Sequence, residues 1–474
     1  MIFIVIVASM MLIWSILGQR KILSASFANL LGTALFVVLG LQFERNIDAW
    51  IVISIGIGFY LFLAIGEYCA RHVPLNTNRY KQVGQLLISH PIANYALLII
   101  FIVFCFLPLF QVLTSGQSIR DVFASVWLTN TAPLTSRDLI EISSQSLFGR
   151  EALIKGVQTQ LSGFWYLSLG VLIIKKRSLF FPVFAIYLLG SFLTSGGFRS
   201  LLMVSLLLPV LLVLMSHETR GAKRVNGPGR TGAVRSVRFL SMNKPTRSKL
   251  TNGSKRHGAI RPLKVLLIGV MIVGLLLFLD WLRYGRQGLV SEGTIFDRLE
   301  RTLRTDFAYG GFGLQFGINN RPESMDRGID YIKRTIVLPI PRVLWPEKPT
   351  SNPNQEYTEL VTGRSYSEFG SILLFTPLGE ALFHFGYLGI ALIPFFYGFL
   401  VIILERIYSS SEAFKGLLVQ AYIWAFLAMR LTFFNLYSTL VITNFVLILL
   451  LAVGARLISK QGIPRPKVVQ HEAS

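Results

Sequence analysis

Residues 337–349 read VLPIPRVLWPEKP and set Arg342, Trp345 and Lys348 at regular intervals among Pro339, Pro341, Pro346 and Pro349. Each proline fixes φ and removes a backbone donor, so the spacing predicts a stiff extended path rather than a regular helix. Cations on such a path lose little conformational freedom when they bind. A guanidinium fork matches phosphate oxygens and an ammonium adds a compact charge, so Arg342 and Lys348 together suit a pyrophosphate. Trp345, with Tyr357 and Tyr366 nearby, offers flat apolar faces for sugar rings. The alternative for the tryptophan is an anchor at a membrane–water boundary.

Next comes TPLGEALFHFGYLG, residues 376–389. Thr376 can cap a helix, Pro377 suits its first position, and Glu380 and His384, four apart, share one face. They are candidates for an acid–base pair. Alternatively, Glu380 favours the positive N-terminal end of its helix and His384 packs at the interface. Further cations are Arg199 in SGGFRS, Arg430 in MRLTFFN, and Arg283 and Arg286 at the start of the long segment that contains these motifs. Charge at membrane depth is expensive unless it pairs, lines a hydrated cavity or snorkels to an end. Gly196 and Gly197 would let backbone approach a ligand beside Arg199.

Other chemistries lack their residues. There is no H-E-x-x-H, no cysteine–histidine cluster and no P-loop glycine–lysine signature. No metal site and no cofactor is expected. The two cysteines, Cys69 and Cys105, do not make a disulfide framework.

The elements that must position these groups are membrane helices. Of 474 residues, 53% are hydrophobic and only 15% charged, with a mean hydropathy of +0.57. A surface facing water needs more polar residues. Apolar runs near 2–17, 23–41, 50–66, 95–113, 161–174, 178–195, 201–215, 265–281, 386–404, 415–430 and 438–455 are long enough to serve as crossings. The expected fold is therefore an all-α polytopic integral membrane protein with about eleven transmembrane helices. The first run has no basic residues ahead of it and Gln19, Arg20 and Lys21 behind it, so it reads as a retained span.

Basic loops stay in the cytoplasm. Residues 216–264 carry thirteen Lys and Arg against the single acid Glu218, which fixes that loop inside. Its composition is that of a disordered segment. Beside spans, such charge meets anionic lipid rather than nucleic acid. Counting crossings outward gives an N-terminal bundle over 1–283, a large external loop over 284–385, C-terminal helices over 386–457 and a cytoplasmic tail over 458–474. Residues 114–160 also face outside. The large loop holds eleven basic and twelve acidic residues, so its arginines are not a general charge bias. Within it, Thr294 and Asp297 form a capping signal. Ile295, Leu299, Leu303 and Phe307 alternate with Arg298, Arg301 and Arg304, predicting an amphipathic helix on the outer membrane boundary.

The long external loop before the last three spans, its IPRVLWPEKP and TPLGEALFHFGYLG segments, and SGGFRS two spans earlier resemble the Wzy-type O-antigen polymerases, or oligosaccharide repeat unit polymerases. Similar proteins often carry asparagine where His384 stands. The resemblance implies a glycosyltransferase of the bacterial inner membrane with its active site facing the periplasm. It would move a growing chain onto the outer sugar of a new undecaprenyl-pyrophosphate-linked repeat unit and release undecaprenyl pyrophosphate. Arg199, Arg283, Arg286, Arg342, Lys348 and Arg430 would then meet the pyrophosphate, and Trp345, Tyr357, Tyr366 and His384 the glycan. Glu380, or failing it Asp306, would take the proton of the attacking hydroxyl. A chain-length regulator is an implied partner. The nearest alternatives are an O-antigen ligase, which usually presents a catalytic histidine in the large loop, and a lipid-linked oligosaccharide flippase or transporter.

Overall fold

The computed structural model describes residues 2–17, 24–38, 49–114, 163–172, 309–337, 353–363 and 375–460 except 428, 431, 438, 439 and 442, together with single residues 182, 185, 274, 294, 297 and 345. Among the described residues every regular element is helical. They comprise α1 (Ile2–Leu17), α2 (Ala25–Gly32, continued by a π-turn over Thr33–Val38), α3 (Ala49–His72), α4 (Thr77–Ser89), α5 (Pro91–Thr114), α6 (Gly163–Leu172), α7 (Tyr309–Asn319), α8 (Asp326–Val337), α9 (Pro353–Thr362), α10 (Pro377–Phe385), α11 (Gly389–Tyr408), α12 (Lys415–Leu427), α13 (Phe433–Tyr437) and α14 (Thr443–Lys460).

Two helices among the described residues are long and apolar enough to cross a membrane: Trp50–His72 within α3, and the 32-residue unit Pro377–Tyr408 that joins α10 to α11 through a 3-10 turn at Gly386–Leu388. A third span is possible if α4 and α5, bent by 82° where they meet, are taken as one. This is fewer than the eleven expected. The runs 178–195, 201–215 and 265–281 and the basic loop 216–264 lie outside the described residues, apart from single positions. Helix α1 and the run after Leu23 are apolar but short, and the run 415–430 stops at Leu427 before the short α13.

Helix α3 packs along α11 and forms the axis of the structure. Gly66 lies under the Phe395 carbonyl and Gly398 under that of Leu63, so a Cβ at either would collide with backbone and the helices would separate. The two run in the same direction: Gly58 faces Ile390 near one end and Arg406 donates to the carbonyls of Ala70 and Val73 near the other. Counting crossings from the charged loops requires that same relation. Helix α1 packs on α3, and α2 on α12.

Near the His72 and Tyr408 ends, polar groups lock three helices. Glu67 of α3 is buried and accepts from Ser26 Oγ at 2.5 Å and Asn29 Nδ2 at 2.7 Å, both on α2. Arg71, one turn on, pairs with Glu67 at 3.5 Å and also donates to Ser26 Oγ. Glu405 of α11 accepts from the Ala25 backbone amide and from the Tyr422 hydroxyl. At the opposite end of α11, helices α7, α8 and α10 build the region that holds Glu380.

Candidate functional site

Helix α10 begins as the sequence requires. Thr376 caps it by accepting from the Gly379 amide at 3.4 Å, and Pro377 occupies its first position, where a missing N–H costs nothing. Thr376 itself has φ +44° and ψ 153°, a backbone region nearly reserved for glycine. The capping box expected at Thr294 and Asp297 is also formed. The Thr294 amide and hydroxyl donate to Asp297 Oδ2, and the Asp297 amide donates back to Thr294 Oγ1. The remainder of that amphipathic segment lies outside the described residues.

Every residue of α10 is buried. Glu380 therefore needs partners, because a carboxylate without them is very costly away from water. It finds three. The Tyr331 hydroxyl of α8 donates to Oε1 at 2.8 Å, the Phe433 amide donates to Oε2 at 2.5 Å, and the Phe434 amide donates to Oε1 at 3.3 Å. The last two amides open α13, just past the interruption after α12. Glu380 thus satisfies another helix's N-terminal amides rather than those of its own.

Tyr331 also carries the contact to His384. Their rings lie 4.6 Å apart between centroids, and Phe385 meets Tyr331 edge-on. Both members of the pair read from the sequence thus converge on a residue that the reading missed. Burial first, and then the neighbouring Glu380 carboxylate, hold the Tyr331 hydroxyl well above the ordinary phenol range, so it remains a donor. Helix α8 approaches α10 closely because of Gly328, where a Cβ would stand 2.6 Å from the Phe385 ring and 3.0 Å from the His384 carbonyl oxygen. Arg327 clamps the same joint. It donates to the carbonyls of Asn320 and Phe383 and lies 4.3 Å from the centroid of the Phe383 ring.

Beneath α10 lies an aromatic cluster of Phe316, Tyr357, Phe375 and Phe383. Tyr357 stacks on Phe375 at 4.4 Å and turns its edge to Phe316. Asn354 ties the cluster down by accepting from the Phe375 amide at 2.9 Å. Tyr357 and His384, expected as glycan-facing rings, are accordingly only 4% and 2% exposed. Each is enclosed by aromatic neighbours that a single-sequence reading cannot bring together. Neither ring nitrogen of His384 has a hydrogen-bond partner among the described residues.

Trp345 is exposed and Arg430 is half-buried, just past the end of α12. Arg199, Arg283, Arg286, Asp306, Arg342, Lys348 and Tyr366 lie outside the described residues. No group of three metal-ligating side chains occurs among the described residues. Tyr331 did have a signal in the sequence. Gly328, Tyr331 and Thr335 recur at helical spacing between apolar positions 325, 329, 332 and 336, which marks a second face of one helix.

No family model, curated protein or solved structure matches this chain.

Proposed function

We propose that this chain is a Wzy-type polymerase that elongates undecaprenyl-pyrophosphate-linked O-antigen repeat units at the periplasmic face of the bacterial inner membrane. The observation that carries the reading is the position of Glu380. A carboxyl group sits at the head of a helix long and apolar enough to cross a membrane, and α8 reaches it through Tyr331.

In the proposed reaction an acceptor sugar hydroxyl attacks the anomeric carbon of the donor. The bond from that carbon to the pyrophosphate breaks, and its electron pair leaves on the pyrophosphate oxygen. Glu380 receives the hydroxyl proton. Arg342 and Lys348, with Arg199, Arg283, Arg286 and Arg430, neutralise the charge that develops on the leaving group. No metal or cofactor has a role in this scheme. The Tyr331 hydroxyl supports the assignment because it stands against Glu380 as an acceptor hydroxyl would. The acceptor would take its place, with α8 shifting to admit it. A chain-length regulator is the partner that the resemblance adds, and the cytoplasmic loop 216–264 would meet anionic lipid.

Deletion of the gene followed by gel separation of surface polysaccharide tests the reading. Loss of the ladder with one repeat still attached is the expected result. Complete loss of attached sugar would indicate an O-antigen ligase or a flippase instead. At the level of residues, Glu380→Gln should stop turnover while donor binding persists, and substantial remaining turnover would move the base to Asp306 or elsewhere. Arg342→Lys keeps the charge but loses the fork, and should cripple chain growth at normal membrane abundance.

A further inference from the structure

Helix α8 has three sides. Gly328 and Tyr331 are buried against α10, and Thr335 is buried one turn further on. Asp326, Asp330 and Lys333 form an exposed charged side, with the last two paired at 3.5 Å. Between these, Met325, Ile329, Ile332 and Ile336 recur at steps of four, three and four and are 44%, 46%, 45% and 66% exposed. At about 100° per residue the four fall within an arc of roughly 60°. A helix on a water-soluble surface needs only a buried side and a polar one. Single exposed apolar residues are ordinary, but an unbroken stripe one side wide calls for a third environment.

We propose that α8 lies along the membrane surface with this stripe sunk among the acyl chains of the leaflet at the Pro377 end of the long apolar helix. The location supports that occupant. Helix α8 packs on α10, which runs into α11. Arg321, four residues before Met325, donates to the Tyr387 hydroxyl at 3.0 Å and lies 5.3 Å from the centroid of its ring. The chain thus enters α8 from the Tyr387 corner, where Tyr387 and Leu388 are themselves exposed, and α11 presents Phe396 further along. A tyrosine with a cation at the head of an apolar helix is the arrangement found at headgroup level.

A second copy of the chain fits less well. The stripe offers roughly 400 Å², about half of what each partner buries in a stable complex. Hydrocarbon on one flank and water on the other accommodate both the isoleucines and the neighbouring Lys333 and Asp330. Tyr331 is on the same helix, so the depth of the stripe sets the height of the Tyr331–Glu380 pair relative to the headgroups. None of this depends on the chemistry proposed for Glu380.

The test uses the full chain carrying Cys69→Ser and Cys105→Ala, reconstituted in phosphatidylethanolamine–phosphatidylglycerol nanodiscs. Ile332→Cys, Ile336→Cys and Asp330→Cys are labelled one at a time with a bimane fluorophore. Lipid-borne doxyl groups should quench the labels at 332 and 336 about threefold more than the label at 330, with the order reversed for aqueous iodide. Equal iodide quenching at all three positions would overturn the proposal by placing the stripe in water. Protection from both quenchers at 332 and 336 would overturn it in favour of a protein cover. Doxyl quenching abolished by added undecaprenyl pyrophosphate would overturn it in favour of a bound prenyl tail. The two stripe positions are read separately, and Met325→Cys replaces either variant that fails to fold.

Discussion

The Tyr331 hydroxyl donates to Oε1 of Glu380 over 2.8 Å, joining residues 49 positions apart in a buried contact. This bond fastens α8, a helix outside the long apolar units, to the head of the Pro377–Tyr408 unit. Replacing Tyr331 by Phe leaves Glu380 with two backbone donors. A hydrogen bond of this kind contributes about 1–3 kcal/mol, depending on the charge of its acceptor. Tyr331→Phe should lower the unfolding free energy by that amount. A cycle with Glu380→Ala, which removes both acceptor oxygens, should show a coupling of about 1 kcal/mol between residues in direct contact. Denaturation of the purified chain in one detergent measures both, and additive single effects would mean that the bond contributes nothing.

Alkaline pH gives an independent reading of how the same hydroxyl is enclosed. Burial and the Glu380 carboxylate raise the folded pKa of Tyr331 above its unfolded value, which is about 10. The stabilisation is therefore fully present below that unfolded value and is lost as pH rises beyond it, because only the unfolded chain can then release the proton. The difference in melting temperature between the parent and Tyr331→Phe should be constant at neutral pH and shrink above about pH 10. An unchanged difference into strong alkali would mean that the Tyr331 hydroxyl is not enclosed against α10, because burial is the larger cause of its raised value.

Gly328 offers a purely steric test. An added Cβ would press on the Phe385 ring at 2.6 Å and the His384 carbonyl oxygen at 3.0 Å. In an open helix Gly→Ala gains about 0.5–1 kcal/mol, whereas overpacking costs about 1–3 kcal/mol. The ring can give way but the carbonyl cannot, so Gly328→Ala should be destabilising on balance. Thermal melts decide it, and a stabilised variant would mean that α8 does not sit against α10.

Local signals were legible in the sequence. Both caps, at Thr294 and Thr376, depend on residues within one turn and are formed as read. The ends of α1 agree with its apolar run. Helix α3 runs on to His72, past the expected limit at residue 66, because Ser26 and Asn29 of another helix satisfy Glu67, and no window along the chain contains all three. The same reasoning applies to α10. Glu380 and His384 made residues 377–385 look like the end of a loop, but Tyr331 and the amides of Phe433 and Phe434 let them be buried as the head of a long apolar helix. The run 415–430 overshoots the end of α12 at Leu427 by three residues, and the short α13, whose first amides complete the Glu380 site, falls between that run and the one at 438–455, where composition gives no sign of a helix.

The Glu67 cluster yields the last prediction. Glu67→Ala would strand the Ser26 hydroxyl and the Asn29 amide and take a carboxylate from Arg71, all beside a close helix pair. Breaking a buried pair from one side costs about 3–5 kcal/mol, at the lower end here because Arg71 is near the end of its helix and can reach water. Glu67→Gln keeps one acceptor oxygen but turns an amide toward a donor, so an intermediate loss should result. Replacing both partners, Glu67→Leu with Arg71→Leu, removes the unpaired charge along with the pair and should recover the part of the loss that comes from Arg71, while the Ser26 hydroxyl and the Asn29 amide stay stranded. That order of Ala, Gln and the double variant in thermal melts in one lipid composition distinguishes a paired ionic lock from simple loss of packing volume. A double variant as unstable as Glu67→Ala would show that the carboxylate, rather than its pairing, is what the α2–α3 contact requires.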